Sequence, residues 1–333
     1  MYFANSSSAT ALAIKDCFDE TAMDNREFPL LHRLVLGLEK HSDLATQLAI
    51  STAEINARDA KGRTALAWAA YIGDAQSARK LIECGADPNI LEVQGYSALH
   101  LVSLAPNPAC LEPLIKAGAA LDSRKWFGET ALNRICGSGS HDDDISWIEP
   151  LIKAGADMEL ANTHQRRRPL HQAVLSDRVN MARFLIEAGA DIECRDRFGN
   201  TPLLCGILYN CHDCLRLLLS CNADRGAVDE TGQTVLHLAA LTGDVETLTM
   251  LADDVRMVSE VSSQALDHAG KLFEEAFSEH AALTEPQDLP GLRLAFEQFL
   301  RCVSEGRVIS EIDDVQASDS EAGDEAFFSA DEG

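Results

Sequence analysis

Apolar and polar positions along most of the chain follow short helical patterns that recur at a nearly constant spacing. Five segments of the Gly-Ala-Asp type close successive blocks, at 85–89, 118–122, 155–159, 189–193 and 222–226. Their first residues are separated by 33, 37, 34 and 33 residues. Such a period predicts a stack of repeated units, because one short unit cannot bury its apolar face without its neighbours.

A second pattern lies between these marks and reads Thr-Ala-Leu, Thr-Pro-Leu or a close variant of these, followed mostly by apolar residues. It occupies 63–70, 96–103, 129–136, 167–174, 200–207 and 233–240. Thr is suited to cap a helix N-terminus, and Pro is tolerated in the first helical turn. Each unit is therefore predicted to hold two short helices joined by a tight turn. The glycine that follows the second helix permits a left-handed exit, and substitution of Gly189 is expected to strain it.

The two patterns together, at a period near 33, resemble the ankyrin-repeat family. The resemblance implies an all-α repeat solenoid in which helix-turn-helix units, joined by β-hairpin loops, stack in an elongated array. The degenerate units and the acidic end with paired phenylalanines also resemble ankyrin proteins of filamentous fungi. Members of the family bind partners through the tips of the hairpins and the concave face of the first helices.

The expected organisation has five parts. They are an uncertain N-terminal segment at 1–27, a degenerate capping repeat at 28–58, six ankyrin repeats at 59–255, a helical C-terminal cap at 256–307 and an acidic disordered tail at 308–333. Apolar residues at helical spacing predict two helices in the cap, separated by Pro286 and Pro290. The tail holds nine carboxylates and no lysine or arginine, a composition typical of disorder.

Composition and charge narrow the classes of partner. Hydrophobic residues make up 46% of the chain, enough for a long core. The formal net charge of −25 argues against direct binding of nucleic acid or of an anionic membrane, which would need clustered lysine and arginine. The ten cysteines are scattered along the chain, as expected of reduced thiols in a cytoplasmic or nuclear protein. We expect a monomer with no membrane-spanning helix.

The family resemblance directs attention to two variable positions at the tip of each of six loops. They read Ala60 and Lys61, Val93 and Gln94, Trp126 and Phe127, His164 and Gln165, Arg197 and Phe198, Glu230 and Thr231. The third, fourth and fifth tips carry aromatic residues among basic ones. The basic residues are Arg124, Lys125, Arg166, Arg167, Arg168, Arg195 and Arg197, seven of the 28 in the chain.

Exposed tryptophan and arginine are frequent interface hot spots, and arginine binds carboxylates and phosphates through two parallel hydrogen bonds. We therefore predict that the tips of repeats three to five bind an acidic or phosphorylated peptide of a protein partner. Two alternatives stay open. Phe127 and Phe198 would instead pack on neighbouring loops, and the arginines at 166–168 would form a solvated loop. Arg166 and Arg168 replace the usual glycine and threonine, which leaves the geometry of that loop in doubt.

The sequence shows no recognisable motif for catalysis or for binding a cofactor or a metal. Cys211 and Cys214 form a CxxC pair, but the repeat register places them at a turn and at a core position, so they are not expected to share a metal. His141 and the three aspartates after it are expected to form a solvated loop. The recurrent His100, His171 and His237 are expected to hydrogen-bond backbone across neighbouring repeats. We expect neither an enzyme nor a bound cofactor.

The function expected from the sequence is an intracellular adaptor or scaffold. Two alternatives come from other classes: a regulatory or substrate-recognition subunit of an enzyme assembly such as a ubiquitin ligase, and a sensor of an anionic small ligand stacked on Trp126. In the tail, Ser310, Ser318 and Ser329 are candidate phosphorylation sites because each has a carboxylate three residues on. The tail would either compete for the basic tips or serve only to keep the chain in solution.

Overall fold

The computed structural model describes residues 29–37, 44–50, 52–137, 143–254, 275, 277, 278, 280, 281 and 289–305. The chain divides into two compact units, Met1–Asp191 and Ile192–Gly333. The expected N-terminal segment at 1–27 and the expected tail at 308–333, including Ser310, Ser318 and Ser329, lie outside the described residues.

The first unit consists of pairs of short helices. The pairs are α1 (Leu30–Val35) and α2 (Leu44–Ile50), α3 (Ala65–Ile72) and α4 (Ala75–Glu83), α5 (Ala98–Val102) and α6 (Leu111–Lys116), α7 (Ala131–Gly137) and α8 (Glu149–Lys153), α9 (Pro169–Leu175) and α10 (Val179–Glu187). Short 3-10 turns lie at Trp126–Gly128 and Ile145–Trp147. The first helices of consecutive pairs pack on one another from α1 to α9, and the second helices do so from α2 to α8. This is the stacked helix-turn-helix fold that the repeat period predicts.

The second unit continues the pattern with α11 (Pro202–Leu208), α12 (His212–Ser220), α13 (Val235–Thr242) and α14 (Val245–Asp253). A longer helix, α15 (Leu289–Glu305), packs against α14. It buries Phe296 and Phe299, and the ring of Phe277 stacks on Phe296 with 3.6 Å between the centroids. Pro290 lies inside the first turn of α15 rather than between two helices, a place where its missing N–H has no cost.

Most of the first helices are capped at the N-terminus by the side-chain oxygen of the repeated Thr or Ser. Each accepts a hydrogen bond, at 3.2 to 3.4 Å, from the backbone N–H three residues on: Thr64, Ser97, Thr130, Thr201 and Thr234. The fourth full repeat has Arg168 at this position, and no side-chain oxygen caps α9 there. The N-terminus of α9 therefore lacks one of the stabilising contacts that its counterparts have.

The glycine after the second helix has the predicted left-handed backbone. Gly189 has a φ of 98°, and Gly85, Gly118 and Gly155 have φ values between 80° and 92°. A side chain at these positions would be strained, because L residues rarely adopt this conformation. The prediction made for Gly189 is confirmed.

Regular hydrogen bonds join each repeat to the next within a unit. A side-chain oxygen accepts from the backbone N–H about one repeat later in the pairs Asn56 to Asp87, Asn89 to Ala120, Asp122 to Asp157, Glu159 to Asp191 and Glu193 to Asp224, at 2.7 to 3.0 Å. These bonds satisfy backbone groups in the loops that have no partner in a helix. They also hold consecutive loops at a constant distance along the stack.

The six loops are tight turns, which we number 1 to 6: 59–63, 92–96, 125–129, 162–167, 196–200 and 229–233. In each turn the N–H of the first residue donates to the carbonyl of the last, at 2.9 to 3.1 Å. Among the described residues the strand pairing expected of hairpin loops is limited to one isolated bridge, between Val228 and Thr234. Each turn closes within five or six residues, which leaves too few paired residues for a ladder.

A search of the described residues for membrane spans finds no helix with the length and apolar character that a bilayer requires.

Candidate functional site

Turns 1, 2, 5 and 6 close in the same way. Each begins with a carboxylate that accepts hydrogen bonds, at 2.8 to 3.2 Å, from the backbone N–H groups of the third and fifth residues of the turn; the four are Asp59, Glu92, Asp196 and Asp229. Because a fixed acceptor holds both N–H groups, these turns have the same backbone conformation up to the glycine that follows the tip.

Turn 3 departs from this geometry because it begins with Lys125, which has no acceptor. Phe127, at the tip, has φ 68° and ψ 14°, in the left-handed region. The residues at the same place in turns 1, 2, 5 and 6 have no positive φ. The left-handed conformation costs an L residue roughly 1–2 kcal/mol, and a bulky residue there is a true outlier. Turn 3 therefore stores strain at an aromatic side chain.

Two aromatic side chains of turn 3 point into solvent. Trp126 is 63% exposed and Phe127 is 71% exposed. The ring of Phe127 lies 6.3 Å from the ring of His164 in turn 4, with an angle of 52° between the planes. A hydrogen bond of 2.7 Å from the N–H of Thr163 to the carbonyl of Phe127 joins the two turns. Phe127 therefore touches the neighbouring turn through His164 and still remains mostly exposed.

Turn 4 is one residue longer than the others and begins with Asn162. The amide oxygen of Asn162 accepts from the N–H groups of Gln165 and Arg167, at 3.1 and 3.2 Å. Arg166 has a φ of 52° and takes the place that a glycine holds in the neighbouring turns. Its side chain is exposed, and within the described part of the chain its guanidinium has no hydrogen bond or ion pair.

These observations define what we call the tip surface of the first unit: Trp126, Phe127, His164 and Arg166. Arg124 lies beside it, is exposed, and donates one hydrogen bond of 3.2 Å to the carbonyl of Ala161. Gln165 and Arg167, which the sequence also suggested, are half-buried at the base of turn 4. The tip surface thus combines three exposed rings with the exposed guanidinium of Arg166, and a second exposed guanidinium, that of Arg124, lies beside it.

Two of the basic residues suggested by the sequence already have carboxylate partners. The ammonium group of Lys125 lies 2.6 Å from Glu129. Arg168 forms ion pairs with Glu159 and Asp191, the latter at 3.1 Å. Their charge is largely compensated within the chain, so they contribute less to the field at the tips than the exposed arginines do.

The remaining suggested residues lie on turn 5, in the second unit. Arg195 donates to the carbonyls of Gly199 and Val228, at 2.8 and 2.5 Å, and so supports the turn. Arg197 is exposed at the tip, and Phe198 is 53% exposed. The N–H of Phe198 donates to Asp196, which keeps this turn in the common conformation.

A charged cluster at the base of turn 3 escaped the sequence analysis. The Lys125 nitrogen and the Arg134 guanidinium lie 4.8 and 5.2 Å from the ring centroid of Tyr96. Glu129 lies 2.6 Å from the former and 3.7 Å from the latter. The signal was available, because Arg134 stands where the other first helices carry mostly apolar residues: Trp68, Leu101, Cys205 and Leu238.

His100, Cys211 and Cys214 lie where the repeat register predicts. Nε2 of His100 lies 3.1 Å from the carbonyl of Glu129, the predicted bond to backbone of the next repeat, and burial lowers the pKa of His100. Cys211 lies at the start of α12, and Cys214 is buried in that helix, as the repeat register predicts.

The acidic insertion of the third repeat serves a structural purpose in the part that is described. Asp143 accepts hydrogen bonds from the N–H groups of Asn180 and Met181, at 2.6 and 2.9 Å, and so caps α10. His141 and Asp142 lie outside the described residues. Among the residues that are described, no group of three or more His, Cys, Asp or Glu side chains could hold a metal ion.

An open groove of about 340 Å³ lies between the second helices α4 and α6. Charged side chains form its rim, among them Arg79, Glu83, Glu112 and Lys116. Glu112 and Lys116 pair with each other at 2.6 Å, which lowers the pKa of Glu112. The groove offers a second surface against which the tip surface can be compared.

Comparison with known proteins finds one family profile that covers most of the chain. It is described as ankyrin repeats in three copies and matches residues 31–125, 102–196 and 188–260. The zebrafish protein named putative palmitoyltransferase ZDHHC13 is 32% identical over 143 residues, which cover 42% of this chain and 21% of that protein. The Arabidopsis thaliana E3 ubiquitin-protein ligase KEG is 24% identical over 226 residues, covering 55% of this chain and 14% of that protein.

The chain therefore spans about a fifth or less of the length of these two relatives. Among solved structures, the ankyrin repeat domain of human ASB11 matches with a TM-score of 0.57 and 25% identity, covering 70% of this chain and 98% of that domain. The match extends over a whole repeat domain, in agreement with the stacked helix pairs.

Proposed function

The chain belongs to the ankyrin-repeat family, and from that premise we propose that it is an adaptor or scaffold whose first unit binds an acidic or phosphorylated segment of a protein partner through its tip surface. Ankyrin repeats are protein-interaction modules, so a protein partner follows from the family. The choice of surface and of partner chemistry is the proposal.

The single observation that carries this choice is the exposure of Trp126 and Phe127 on a strained turn. Burial of apolar surface is favourable by about 25 cal/mol for each Å² removed from water, and exposed aromatic side chains lack this stabilisation. The positive φ of Phe127 adds a conformational cost. Two unfavourable features on one turn favour a site that a partner covers, because binding then recovers the apolar term.

The charge of the surface favours an acidic occupant. Arg124 and Arg166 are exposed beside the aromatic rings, in a chain whose formal net charge is −25. Arginine holds carboxylate and phosphate groups through paired hydrogen bonds, and tryptophan and arginine together are the residues most enriched among hot spots. A basic and aromatic surface on an acidic protein selects anionic segments over neutral ones.

Turn 5 of the second unit has a similar composition, with Arg197 and Phe198 exposed. We propose that it also contacts the partner, and its contribution is tested by a variant of its own.

A second candidate function is substrate recognition in a ubiquitin ligase assembly. One relative is named an E3 ubiquitin-protein ligase, and its similarity to this chain extends over 226 residues. Under this candidate the segment bound at the tips would belong to a protein that becomes ubiquitinated. Both candidates use the same surface, and they differ in which proteins are recovered with the chain.

The test is affinity purification from the source cells, with each bait quantified by mass spectrometry. The test bait combines Trp126→Ala and Arg166→Ala. The matched control combines Lys61→Ala and Val93→Ala on turns 1 and 2, where Val93 is 64% exposed. A separate bait carries Arg197→Ala and Phe198→Ala.

We expect partners to be lost from the test bait and kept by the control. Truncating a hot-spot residue costs about 2 kcal/mol or more, which is roughly a 30-fold loss of affinity. All baits should have the same far-UV circular dichroism as the wild type. If the test bait recovers the wild-type partners at the wild-type level, the tip surface is not the binding site. Ligase components among the selectively lost proteins would favour the second candidate.

A further inference from the structure

The cluster of Tyr96, Lys125, Glu129 and Arg134 lies at the base of turn 3 and takes no part in the proposed tip surface. From its geometry we propose that it is a receptor site for a single carboxylate, namely an Asp or Glu side chain of a partner protein. Only the identity of the occupant rests on the proposed function. The anion site itself stands on the contacts within the cluster.

The guanidinium of Arg134 is held in place but is not fully used. Its Nε donates to the hydroxyl of Ser103 at 2.8 Å, and Ser103 in turn donates to the carbonyl of His100 at 2.7 Å. The guanidinium also lies over the ring of Tyr96. An arginine positioned from two sides loses little side-chain entropy when it binds a ligand.

The terminal nitrogens of Arg134 remain available for an oxygen ligand. Nη1 lies 3.7 Å from Glu129, beyond hydrogen-bond distance, and neither terminal nitrogen has a hydrogen-bond partner among the described residues. Nε and Nη1 of Arg63 are fully buried and have no hydrogen-bond partner in the described part of the chain, but neither terminal nitrogen of Arg134 is fully buried in this way. The terminal nitrogens of Arg134 therefore reach solvent, and about a fifth of its side-chain surface, 20%, is exposed.

The net charge of the cluster selects a monoanion. Lys125 and Arg134 contribute two positive charges and Glu129 one negative charge, and the Lys125 side chain is 12% exposed against 21% for Glu129. One carboxylate would neutralise the remaining charge. A phosphate dianion would add a further negative charge close to Glu129, where two like charges repel. The site therefore favours Asp or Glu over a phosphorylated residue.

Arg134 occupies a helix position that carries apolar residues in most of the other repeats. The equivalent residues Leu101 and Leu238 are buried apolar side chains, 3% and 2% exposed. An arginine at this position replaces an apolar side chain and places a charge in a largely buried site. A purely structural arginine would offset that cost only if its N–H groups were all paired. The terminal nitrogens have only the 3.7 Å ion pair with Glu129 and no hydrogen bond among the described residues, as expected of a group that binds a ligand.

The test uses acetate as the probe and the full chain. In ¹⁵N-labelled protein, the Nε–Hε signal of Arg134, assigned by its absence in Arg134→Lys, is followed as sodium acetate, sodium chloride or sodium phosphate is added at equal ionic strength. We expect a saturable shift with acetate and a weaker response to phosphate. Chloride should give only the small linear shift of ionic strength.

A second variant keeps the test independent of folding defects. Glu129→Gln removes the competing carboxylate and should tighten acetate binding roughly fivefold, the Coulomb effect of one unit charge a few Å away in water-like surroundings. A cluster with a purely structural role would give no such gain. The double variant Trp126→Ala with Arg166→Ala should bind acetate as the wild type does.

Equal linear shifts with acetate and chloride would overturn the proposal, and tighter binding of phosphate than of acetate would overturn the choice of a monocarboxylate. Neither result depends on the tip surface. Conversely, a failure of the purification experiment with intact acetate binding would remove only the proposed function of the tips.

Discussion

At the residue scale, Lys125 determines much of the character of turn 3. In turns that begin with Asp or Glu, the carboxylate fixes the N–H of the tip residue, whereas Lys125 turns toward Glu129 and leaves that N–H without this acceptor. Phe127 then adopts φ 68° with its ring in solvent. A lysine at this position thus accompanies the left-handed backbone of Phe127 and places an ammonium group in the cluster with Arg134.

The strain at this position predicts the outcome of a glycine substitution. Phe127→Gly should raise the free energy of unfolding by up to about 1 kcal/mol, because relief of a left-handed backbone costing roughly 1–2 kcal/mol outweighs the added flexibility of glycine. The same variant should bind the partner less well. The measurement is urea unfolding followed by circular dichroism.

Phe198→Gly is the matched control, since Phe198 occupies the same place in turn 5 and has no positive φ. It should lower the free energy of unfolding by about 0.5–1 kcal/mol, the usual cost of glycine. A loss of similar size in both variants would show that Phe127 is not strained.

At the element scale, the first helices owe their positions to hydrogen bonds with the next turn. His32 and His100 each place a ring nitrogen near a backbone carbonyl one repeat later, Arg63 at 2.8 Å and Glu129 at 3.1 Å. Asn133, at the same place in its helix as His100, donates instead to the carbonyl of Leu160 at 2.6 Å, just before turn 4. The chain therefore places both titratable and non-titratable residues at this helix position.

This difference predicts a dependence of stability on pH. Burial lowers the pKa of His32 and His100 from the ordinary 6.5, so the unfolded chain binds protons more readily than the folded one. Their contribution is complete above about pH 6.5 and is lost as pH falls through the lowered pKa values, by up to about 1.4 kcal/mol per pH unit and histidine. His100→Asn should reduce this loss, because an asparagine side chain does not titrate.

Urea midpoints between pH 7.5 and 5 measure the effect. Tryptophan fluorescence reports on the first unit, because Trp68, Trp126 and Trp147 all belong to it. A midpoint that falls equally in wild type and His100→Asn would show that His100 is not the group responsible.

The sequence allowed the helices to be predicted better than the turns. A period near 33 and the repeated Thr and Gly positions predict the helix pairs, because each of those residues has one local role that recurs. Turn 3 could not be predicted in the same way, since the conformation of Phe127 depends on an acceptor that Lys125 fails to supply. Arg134 was missed because the family resemblance directs attention to the loop tips, although its charge among apolar counterparts was visible.

At the scale of the whole molecule, the proposed binding surface is positively charged, whereas the chain has a negative net charge. A formal net charge of −25 keeps most of the surface negative, and the exposed Arg124 and Arg166 concentrate positive charge beside the rings of turn 3. An anionic partner is attracted where this positive charge is exposed and repelled by the negative charge elsewhere, so association should be oriented and should weaken with salt. Under the proposed function, the strained turn and the local basic charge act together to bind an acidic segment.

A partner that covers the tip surface should slow amide hydrogen exchange there, which can be measured on the full chain with and without the purified partner. We predict slower exchange in turns 3 and 4, at 125–129 and 162–167, and unchanged exchange in α4 and α6, which border the groove on the second helices. Protection confined to α4 and α6, with turns 3 and 4 unchanged, would show that the partner binds on the second helices and not at the tips.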